Sequence, residues 1–390
     1  MKWETVSLGD VLHSIIGGGT PSKSKSEYWN GDIFWCSVKD MEDDKHYLSY
    51  TKDTITKKGL ENSSANLIKA GTVITSTRMG LGRAFINKVD MAINQDLKAL
   101  IPNERIDNRF LLWTILSKRN ELNMLGRGST VKGITLDILK SIEISLPPLI
   151  VQRRIADILS AYDDLIDNNQ KQIKLLEEAA MRLYKEWFVN LRFPGYENTK
   201  IVDGVPDGWS RKKLIDIADI TMGQSPKSEY YNDRQQGLPF HQGVTNYGYR
   251  FVIDETYSTS YTRIAEAGSI LFSVRAPVGR MNITKNKIVI GRGLAAINHR
   301  EGLQSFLFYM LKNRFYKDDL IGNGAIYASI TKSALQSQEF LIPSDNLANK
   351  FISVAKSFDQ QITNADRQII LLQQARDKLL PKLMNGDIEV

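Results

Sequence analysis

Apolar residues recur at alternating steps of four and three along two long stretches of the chain. The first series is Ile155, Leu159, Tyr162, Ile166, Asn169, Ile173, Leu176, Ala180, Leu183 and Trp187, and the second is Phe351, Ala355, Phe358, Ile362, Ala365, Ile369, Leu372, Arg376, Leu379 and Leu383. Only Asn169 and Arg376 are polar in these series. A heptad pattern of this length predicts two long helices, each of which buries its apolar seam against another helix.

The predicted helices occupy residues 149–190 (central) and 345–390 (distal). About forty residues at a rise of 1.5 Å make a rod of about 60 Å. The simplest way to bury both seams is an antiparallel pair. The alternative is two independent amphipathic helices, each packed on its own domain. Pro381 is predicted to end or kink the distal helix near Leu380.

The chain also contains an internal repeat. The segment 128–148 matches 324–344 at an offset of 196 residues, and the same offset continues along both helices. Upstream the offset becomes 197 residues for 70–83 against 267–280, and 205 residues for Pro21 against Pro226. The helices therefore tolerate no length change, whereas the globular parts do. A repeat of this kind indicates one structural unit that is present twice.

Within each copy, short β-branched runs broken by glycine predict strands, for example "GTVITST" and "GSILFSV". Short helices are predicted over "NRFLLWTILSKR" and "LQSFLFYMLKNR". Residues 191–208, rich in Gly and Pro, are predicted to link the copies. The expected fold class is α+β. Two similar mixed α/β domains, residues 1–148 and 209–344, are separated by a coiled-coil pair of antiparallel helices with pseudo-two-fold symmetry.

Composition adds only weak constraints. The net charge of +7 and the pI near 9.1 are compatible with a polyanionic partner. A single cysteine, Cys36, excludes an internal disulfide. No apolar run is long enough to span a bilayer, and the N-terminus lacks the features of a signal peptide. We therefore expect a cytoplasmic protein with no membrane partner.

Four segments carry a family resemblance: "ISLPPLIVQRRIADIL", "RLYKEWFVNLRFPGYEN", "VDGVPDGW" and "LLPKLMNGDIEV". With the order domain, helix, domain, helix, the whole chain resembles the specificity (S) subunit of bacterial and archaeal type I restriction-modification enzymes. The resemblance implies two target-recognition domains, each reading one half of a bipartite target in double-stranded DNA. It also implies a helix pair that sets the spacer between the half-sites and docks two methyltransferase subunits. Restriction subunits join them in the full complex.

The chain departs from the family pattern at two places. Similar proteins usually carry an acidic residue where Val151 stands, and the second copy degrades the motif to "IPSDNLANKF".

No catalytic signature is present. The chain lacks a GxxxxGK[ST] phosphate loop and the Asn-Pro-Pro-aromatic motif of adenine methyltransferases. His13, His46, His241 and His299 have no metal-ligand spacing. No cofactor or metal is expected in this chain, and S-adenosylmethionine, ATP and Mg²⁺ are expected only in partner subunits. Two alternatives stay open: an enzyme whose catalytic centre is not recognisable, and a stand-alone DNA-binding regulator or scaffold.

The repeat itself suggests which residues bind DNA. Arg78 with Arg275 and Arg83 with Arg280 are shared between the copies, so we expect them to contact phosphates or a feature common to both half-sites. The alternative is an arginine that bridges to a carboxylate. Base readers are expected where the copies differ. These candidates are Lys23, Lys25, Thr77, Met79 and Thr130 to Lys132 in the first copy, and Gln224, Lys227, His241, Val274 and Asn323 to Tyr327 in the second.

Overall fold

Two compact units make up the chain in the computed structural model, which describes residues 3–128, 132–315 and 329–390. The first unit comprises Met1–Ile166 and Leu371–Val390, and the second comprises Asp167–Ile370. Each unit therefore contains one globular copy of the repeat and a part of each long helix.

The first unit contains three small sheets within its described residues. Its strands are β1 (Glu4–Ser7), β2 (Leu12–Gly17), β3 (Trp29–Cys36), β4 (Tyr47–Leu48), β5 (Asp53–Ile55), β6 (Leu67–Ile68), β7 (Val73–Ser76), β8 (Ala84–Asn87), β9 (Met91–Ile93), β10 (Leu97–Pro102) and β11 (Glu143–Leu146). The strand orders are β2-β10-β7-β8-β4, β5-β3-β9-β6 and β1-β11. Strands β3 and β9 run parallel, as do β4 and β8, whereas the other pairs are antiparallel.

The second unit repeats this arrangement. Its strands are β12 (Ile201–Val202), β13 (Val205–Pro206), β14 (Ser210–Lys213), β15 (Ala218–Met222), β16 (Tyr231–Asn232), β17 (Leu238–His241), β18 (Tyr257–Ser258), β19 (Ile264–Ala265), β20 (Ile270–Ser273), β21 (Met281–Ile283), β22 (Ile288–Ile290), β23 (Leu294–His299) and β24 (Glu339–Ile342). The orders β15-β23-β20-β21, β16-β18-β17-β22-β19 and β14-β24 follow those of the first unit, except that no strand pairs in the place of β4 among the described residues and that β16 is added at one edge. Strand β12 pairs with β13 within the predicted linker. The predicted repeat and mixed sheets are confirmed.

Helices cover the sheets and connect the two units. They are α1 (Lys57–Glu61), α2 (Asn108–Ser117), α3 (Arg119–Leu125), α4 (Leu136–Lys140), α5 (Leu149–Phe188), α6 (Leu214–Ile217), α7 (Gln304–Phe315), α8 (Lys332–Gln336) and α9 (Asp345–Met384). The short helices α4 and α8 begin at equivalent N-caps, because Thr135 and Thr331 each accept a hydrogen bond from the third backbone N–H of their helix. The predicted short helices correspond to α2 and α7.

The central helix α5 begins at a proline junction. Strand β11 ends before Pro147, which has no N–H to continue a ladder. The buried Gln152 then fixes the first turn of α5, because its amide nitrogen donates to the carbonyl oxygens of Pro147 (2.8 Å) and Arg105 (2.9 Å). In the second copy the equivalent position holds Ala348, so α9 lacks this fastening. This loss is one physical consequence of the degraded motif.

The long helices α5 and α9 run antiparallel. In the first unit, Arg376 of α9 donates to Asp163 of α5 at 2.7 Å. In the second unit, the rings of Tyr184 and Phe188 near the end of α5 contact Phe351 near the start of α9, with centroids 6.0 and 5.2 Å apart. The early part of each helix therefore faces the late part of the other. The alternative of two independent helices is wrong.

The predicted seam forms the inner face of this pair. Eleven of its apolar members are buried: Ile155, Leu159, Ile166, Ile173, Ala180, Phe351, Ala355, Ile362, Ala365, Ile369 and Leu383. Seven are half-buried: Tyr162, Leu176, Leu183, Trp187, Phe358, Leu372 and Leu379. The distal helix does not end near Leu380, because α9 continues through Pro381 to Met384. A proline so close to the end of a helix removes few backbone bonds, and Leu383 and Met384 beyond it are buried in the core of the first unit.

A buried carboxylate of α5 binds the globular part of the first unit. Asp163 Oδ2 lies 2.6 Å from His46 Nδ1, while its Oδ1 accepts the bond from Arg376. The ring of Trp113 packs edge-on against His46, with centroids 5.0 Å apart. All four side chains are buried. Since a buried charge is tolerated only with partners, this cluster holds the His46 loop on the helix pair.

The equivalent carboxylate of α9 does the same in the second unit. Asp359, the repeat partner of Asp163, accepts from Arg250 Nη2 at 2.9 Å and from the Tyr309 hydroxyl at 3.1 Å. Arg250 Nη1 also donates to Glu177 of α5 at 3.1 Å, and its guanidinium lies 3.6 Å above the ring of Phe308. Burial opposes the charge of Arg250, but Tyr309, Glu177 and Asp359 raise its pKa.

Arg250 and His46 occupy equivalent places, although the sequence repeat does not align them at the offset of the helices. The carbonyl oxygen of His46 accepts from the N–H of Ile86, and that of Arg250 accepts from the N–H of Ile283, the repeat partner of Ile86. Trp113 and Tyr309 are likewise equivalent. Both copies therefore use one plan, in which a basic residue of the domain, backed by an aromatic ring, binds a carboxylate on a long helix.

We expect Arg250→Met to destabilise the protein by about 3 kcal/mol, because it leaves the half-buried carboxylates of Glu177 and Asp359 without the buried guanidinium that they share. Arg300→Met is the matched control, since Arg300 pairs with Asp219 at 3.0 Å on the surface. Its expected cost is below about 1 kcal/mol. Denaturant unfolding of the full chain measures both variants. Equal effects would show that the buried cluster contributes no more than a surface ion pair.

Candidate nucleic-acid interface

In the first unit, the candidate interface centres on the turn 94–96, which joins β9 to β10. Asn94 Oδ1 accepts from the N–H of Asp96 at 3.1 Å, and Asn94 Nδ2 donates to Asp96 Oδ2 at 3.2 Å. Asn94 and Asp96 are buried, whereas Gln95 between them is exposed. The turn is therefore closed by its own side chains and presents Gln95 to solvent.

The loop that follows β2 lies directly against this turn. A Cβ at Gly18 would lie 2.2 Å from the carbonyl oxygens of Ile93 and Asn94, so only glycine permits the approach. Two residues further on, the Thr20 hydroxyl donates to Gln95 Oε1 at 2.5 Å. This contact fixes the orientation of the Gln95 amide.

Basic side chains surround the same turn. The N–H of Thr77 donates to the carbonyl of Asp96 at 2.9 Å, and this bond places the next residue, the exposed Arg78, beside the turn. Arg78 Nη1 lies 3.7 Å from Asp96 Oδ1. Lys98 Nζ donates to the carbonyl of Gln95 at 2.6 Å. Burial lowers the pKa of Lys98 and repulsion from Arg78 lowers it further, while Asp96 opposes the shift.

These cations outnumber the nearby carboxylate. The exposed Lys132 adds a further charge, since its carbonyl accepts from the N–H of Met79 at 3.3 Å in the Arg78 loop. Among the described residues, Asp96 is the carboxylate that pairs with Arg78 and that acts on Lys98, while Arg78, Lys98 and Lys132 each contribute a positive charge. Such an edge suits a phosphate backbone, with Gln95 as a neutral hydrogen-bonding group among the cations.

In the second unit the equivalent turn is 291–293, between β22 and β23. A Cβ at Gly291 or Gly293 would lie 2.7 or 2.6 Å from atoms of Gln242, so both positions require glycine. Arg292 between them is exposed. This turn is therefore closed by tight packing against Gln242, whereas the first is closed by Asn94 and Asp96.

A hydroxyl again contacts the turn. Ser225, the repeat partner of Thr20, accepts from the N–H of Arg292 at 3.3 Å and donates to Gln242 Oε1 at 2.7 Å. The carbonyl of Gln224 accepts from the Thr262 hydroxyl, which joins a further loop to the site. Gln224 and Gln242 are both exposed.

The shared arginine also recurs, but its electrostatic setting differs. The N–H of Val274 donates to the carbonyl of Gly293 at 2.9 Å, as Thr77 does to Asp96, and Arg275 follows as Arg78 does. Gly293 stands where the first copy has Asp96. Within the described residues, neither Arg275 nor Arg292 forms an ion pair with a carboxylate. The second site therefore carries the less compensated positive charge.

Several predicted residues lie on the surface. Lys23, Lys25, Met79, Lys132, Gln224, Lys227, Arg275 and Arg280 are exposed. Lys25 Nζ donates to the Tyr28 hydroxyl at 3.0 Å, and Lys227 lies 3.8 Å from Glu229. Their contact with DNA stays a prediction. Thr130, Asn323 and Tyr327 lie outside the described residues.

Four predicted residues take other roles. Thr77, His241 and Val274 are buried, so they cannot reach a base edge in this conformation. His241 Nε2 instead lies 2.8 Å from Asp254 Oδ1. Arg83 Nε lies 2.6 Å from Asp43, so for this residue the alternative of a carboxylate bridge describes the structure. A sequence difference between the two copies shows that a position has diverged, but it does not show whether the side chain there is exposed or buried.

Sequence reasoning missed Gln95, Lys98, Gln242 and Arg292. The signal for two of them was present, because the offset of 197 residues that aligns the arginine loops also aligns Gln95 with Arg292. Gln242 directly follows the predicted but buried His241, and the alternation of side chains at the end of β17 turns it outward.

Potential metal ligands form no cluster among residues 3–128, 132–315 and 329–390. No group of three or more His, Cys, Asp or Glu side chains there is arranged to hold a metal ion. Burial raises the pKa of the Cys36 thiol, which removes its nucleophilic thiolate. None of the helices in these ranges is long and apolar enough to cross a membrane.

The model of one protein family matches the chain twice. The type I restriction modification DNA specificity domain aligns with residues 1–178 and with residues 206–373. Each match contains one globular copy of the repeat and extends into the long helix that follows it.

Known proteins resemble the chain along half or all of its length. The type I restriction enzyme MjaIX specificity subunit of Methanocaldococcus jannaschii is 28% identical over 409 residues, which cover 100% of this chain and 94% of the relative. The EcoR124I/EcoR124II specificity subunit of Escherichia coli is 33% identical over 201 residues, which cover 50% of this chain and 48% of the relative. The crystal structure of a type I restriction-modification system S subunit from M. genitalium shares the fold, with a TM-score of 0.54, 14% identity and coverage of 98% and 96% of the two chains.

We expect Arg78→Gln and Arg275→Gln each to weaken binding to a random-sequence DNA duplex. Each loss of a phosphate contact should reduce the slope of log K against log salt by about 1. Fluorescence anisotropy titrations over a range of salt concentrations give both quantities. Arg300→Gln is the control, because Arg300 lies just beyond the opposite end of β23 from the turn at Arg292. An unchanged slope in both variants would place phosphate binding elsewhere.

Proposed function

We propose, from the premise that the chain belongs to the family of the type I restriction modification DNA specificity domain, that each globular domain reads one half of a bipartite target in double-stranded DNA. The observation that carries this proposal is the pair of equivalent turns. Both present a shared arginine, Arg78 or Arg275, next to an exposed residue that differs, Gln95 or Arg292. A common contact to the backbone combined with a different contact to the bases suits two unlike half-sites.

We propose that this chain supplies the DNA specificity of a complex and that partner subunits supply its catalytic activities. Its family is described by DNA specificity, and the relative from M. jannaschii carries the name of a specificity subunit. We propose that methyltransferase subunits supply S-adenosylmethionine-dependent methylation, and that restriction subunits with ATP and Mg²⁺ join them in the full complex.

The helix pair is proposed to set the distance between the half-sites. Helices α5 and α9 are each 40 residues long, and an α-helix of that length extends about 60 Å. Each carries a carboxylate, Asp163 or Asp359, that holds a globular domain. A change in helix length therefore changes the spacer without touching either reading surface.

The same helices are proposed to dock two copies of one methyltransferase subunit. Leu175 and Leu371 occupy equivalent positions of the repeat, and 63% and 53% of their surfaces are exposed. An exposed leucine is unremarkable alone, but the same one presented twice by an internal repeat offers two like sites. Two like sites fit a stoichiometry of two partners per chain.

Selection from a random DNA duplex library with the purified chain is expected to recover two short motifs separated by a fixed, non-specific spacer. A variant with one added heptad after Gln170 and one after Asp366 should keep both motifs. Its preferred spacer should grow by about three base pairs, since seven helical residues add about 10 Å and a base pair about 3.4 Å.

The insertion points are equivalent in the repeat and level in the helix pair. The pairings of Asp163 with Arg376 and of Tyr184 with Phe351 place residue 170 beside about residue 367. A heptad keeps the seam in phase. Recovery of one contiguous motif by the unaltered chain would contradict bipartite reading. Two motifs with an unchanged spacer in the variant would contradict only the role of the helices.

Leu175→Glu and Leu371→Glu are each expected to reduce the complex from two methyltransferase subunits to one, and the double variant should bind none. Light scattering after size-exclusion chromatography of the co-expressed complex measures this stoichiometry. The matched controls are Gln172→Glu and Gln368→Glu, equivalent exposed polar positions on the same helices. Two bound subunits in the double variant would exclude this docking surface.

The chain alone should neither cut nor methylate DNA.

A further inference from the structure

Gln95 and Arg292, which align at the repeat offset of 197 residues, are also structural equivalents. Each is the central, exposed residue of a three-residue turn that joins two buried strands, β9 to β10 or β22 to β23. Each of these four strands is an interior strand of its sheet, with a hydrogen-bonded neighbour on both sides. The Cα position of a residue on such a turn is well defined, because hydrogen-bonded strands hold the backbone on both sides.

The surroundings of the two residues are also equivalent. A hydroxyl from the preceding loop touches each turn, Thr20 at 2.5 Å from Gln95 Oε1 and Ser225 at 3.3 Å from the N–H of Arg292. The carbonyl oxygen of the next residue accepts from the N–H of Thr77 or Val274 at 2.9 Å in both units. The scaffold is therefore the same while the side chain it presents differs.

Both side chains keep hydrogen-bonding capacity for a ligand. The amide nitrogen of Gln95 donates to no described residue, and its oxygen has a second lone pair beyond the bond from Thr20. The guanidinium of Arg292 pairs with no described carboxylate, since Gly293 replaces the acid of the first copy. Both groups can therefore form two parallel hydrogen bonds to one partner.

The chemistry of these groups matches different bases. A glutamine amide forms paired hydrogen bonds with N6 and N7 of adenine, and an arginine guanidinium does so with O6 and N7 of guanine. A phosphate contact is the alternative for Arg292. It explains neither the neutral amide at the equivalent position nor the presence of a shared arginine, Arg78 or Arg275, beside each turn.

We propose that Gln95 reads an adenine in the half-site of the first domain and that Arg292 reads a guanine in the half-site of the second. This proposal rests on the proposed function and deepens it, because it assigns one base-reading residue to each domain. The adjacent Arg78 and Arg275 then hold the backbone at both half-sites.

The test exchanges the two side chains and repeats the selection from the random DNA duplex library. Arg292→Gln should lose a guanine at one position of the second motif and lower affinity for the original sequence about 10- to 100-fold. Gln95→Arg should replace an adenine at one position of the first motif. In each variant the motif of the unaltered domain should persist, which shows that the protein is folded.

Arg292→Lys separates base reading from phosphate binding. Lysine keeps the charge but loses the planar fork, so a base reader should lose its preference for guanine while the salt dependence of binding stays nearly constant. A phosphate-binding residue would instead keep the motif in both Arg292 variants, and Arg292→Gln would weaken binding to all sequences equally. Arg300→Gln, just beyond the opposite end of β23, should leave both motifs intact.

The outcomes also separate a failure of the proposed function from a failure of the assignment of Gln95 and Arg292. If the unaltered chain selects no bipartite sequence, the proposed function fails, and this inference fails with it. If the unaltered chain selects two motifs and both exchanges leave them unchanged, only the assignment of Gln95 and Arg292 is overturned.

Discussion

A carboxylate on each long helix, Asp163 on α5 and Asp359 on α9, is the contact on which the arrangement of each unit depends. Asp163 is buried and Asp359 is half-buried, and each takes a basic partner from the globular domain, His46 or Arg250, which are both buried. A buried carboxylate without such a partner is strongly unfavourable, so alternative positions of the domain on the helices are excluded. A DNA-reading surface needs this fixed placement, because hydrogen bonds to bases tolerate little displacement.

In the two turns at Gln95 and Arg292, the structure depends on backbone contacts, so the identity of the central side chain can differ between the copies. The bonds that hold them run through main-chain atoms, from the N–H of Thr77 to the carbonyl of Asp96 and from that of Val274 to Gly293. Substitution at Gln95 or Arg292 therefore leaves the turn intact. The copies also differ at the next residue of the turn. In the first unit Asp96 partly neutralises the charge of Arg78, whereas in the second unit Gly293 provides no carboxylate for Arg275.

Prediction from sequence succeeded for the features that repeat along the chain. The heptads fixed the seam of the helix pair, and the offset of 196 residues revealed the duplicated domains. Prediction of the site was less successful. Differences between the copies selected Thr77, His241 and Val274, which are buried, and the search missed their exposed neighbours in space, Gln95 and Arg292. Whether a side chain at the end of a strand is buried depends on which loop packs over it, and the sequence does not show which loop that is.

The sequence by itself determined the two helices, the internal repeat and the family, and it favoured an antiparallel pairing of the helices. These follow from periodicity and from similarity along the chain, which local backbone geometry translates into structure. Only the tertiary structure decided which loops meet. His46 finds Asp163 over 117 positions of sequence, and Thr20 finds Gln95 over 75. Such contacts depend on how sheets and loops pack, and no pattern of neighbouring residues encodes that packing directly.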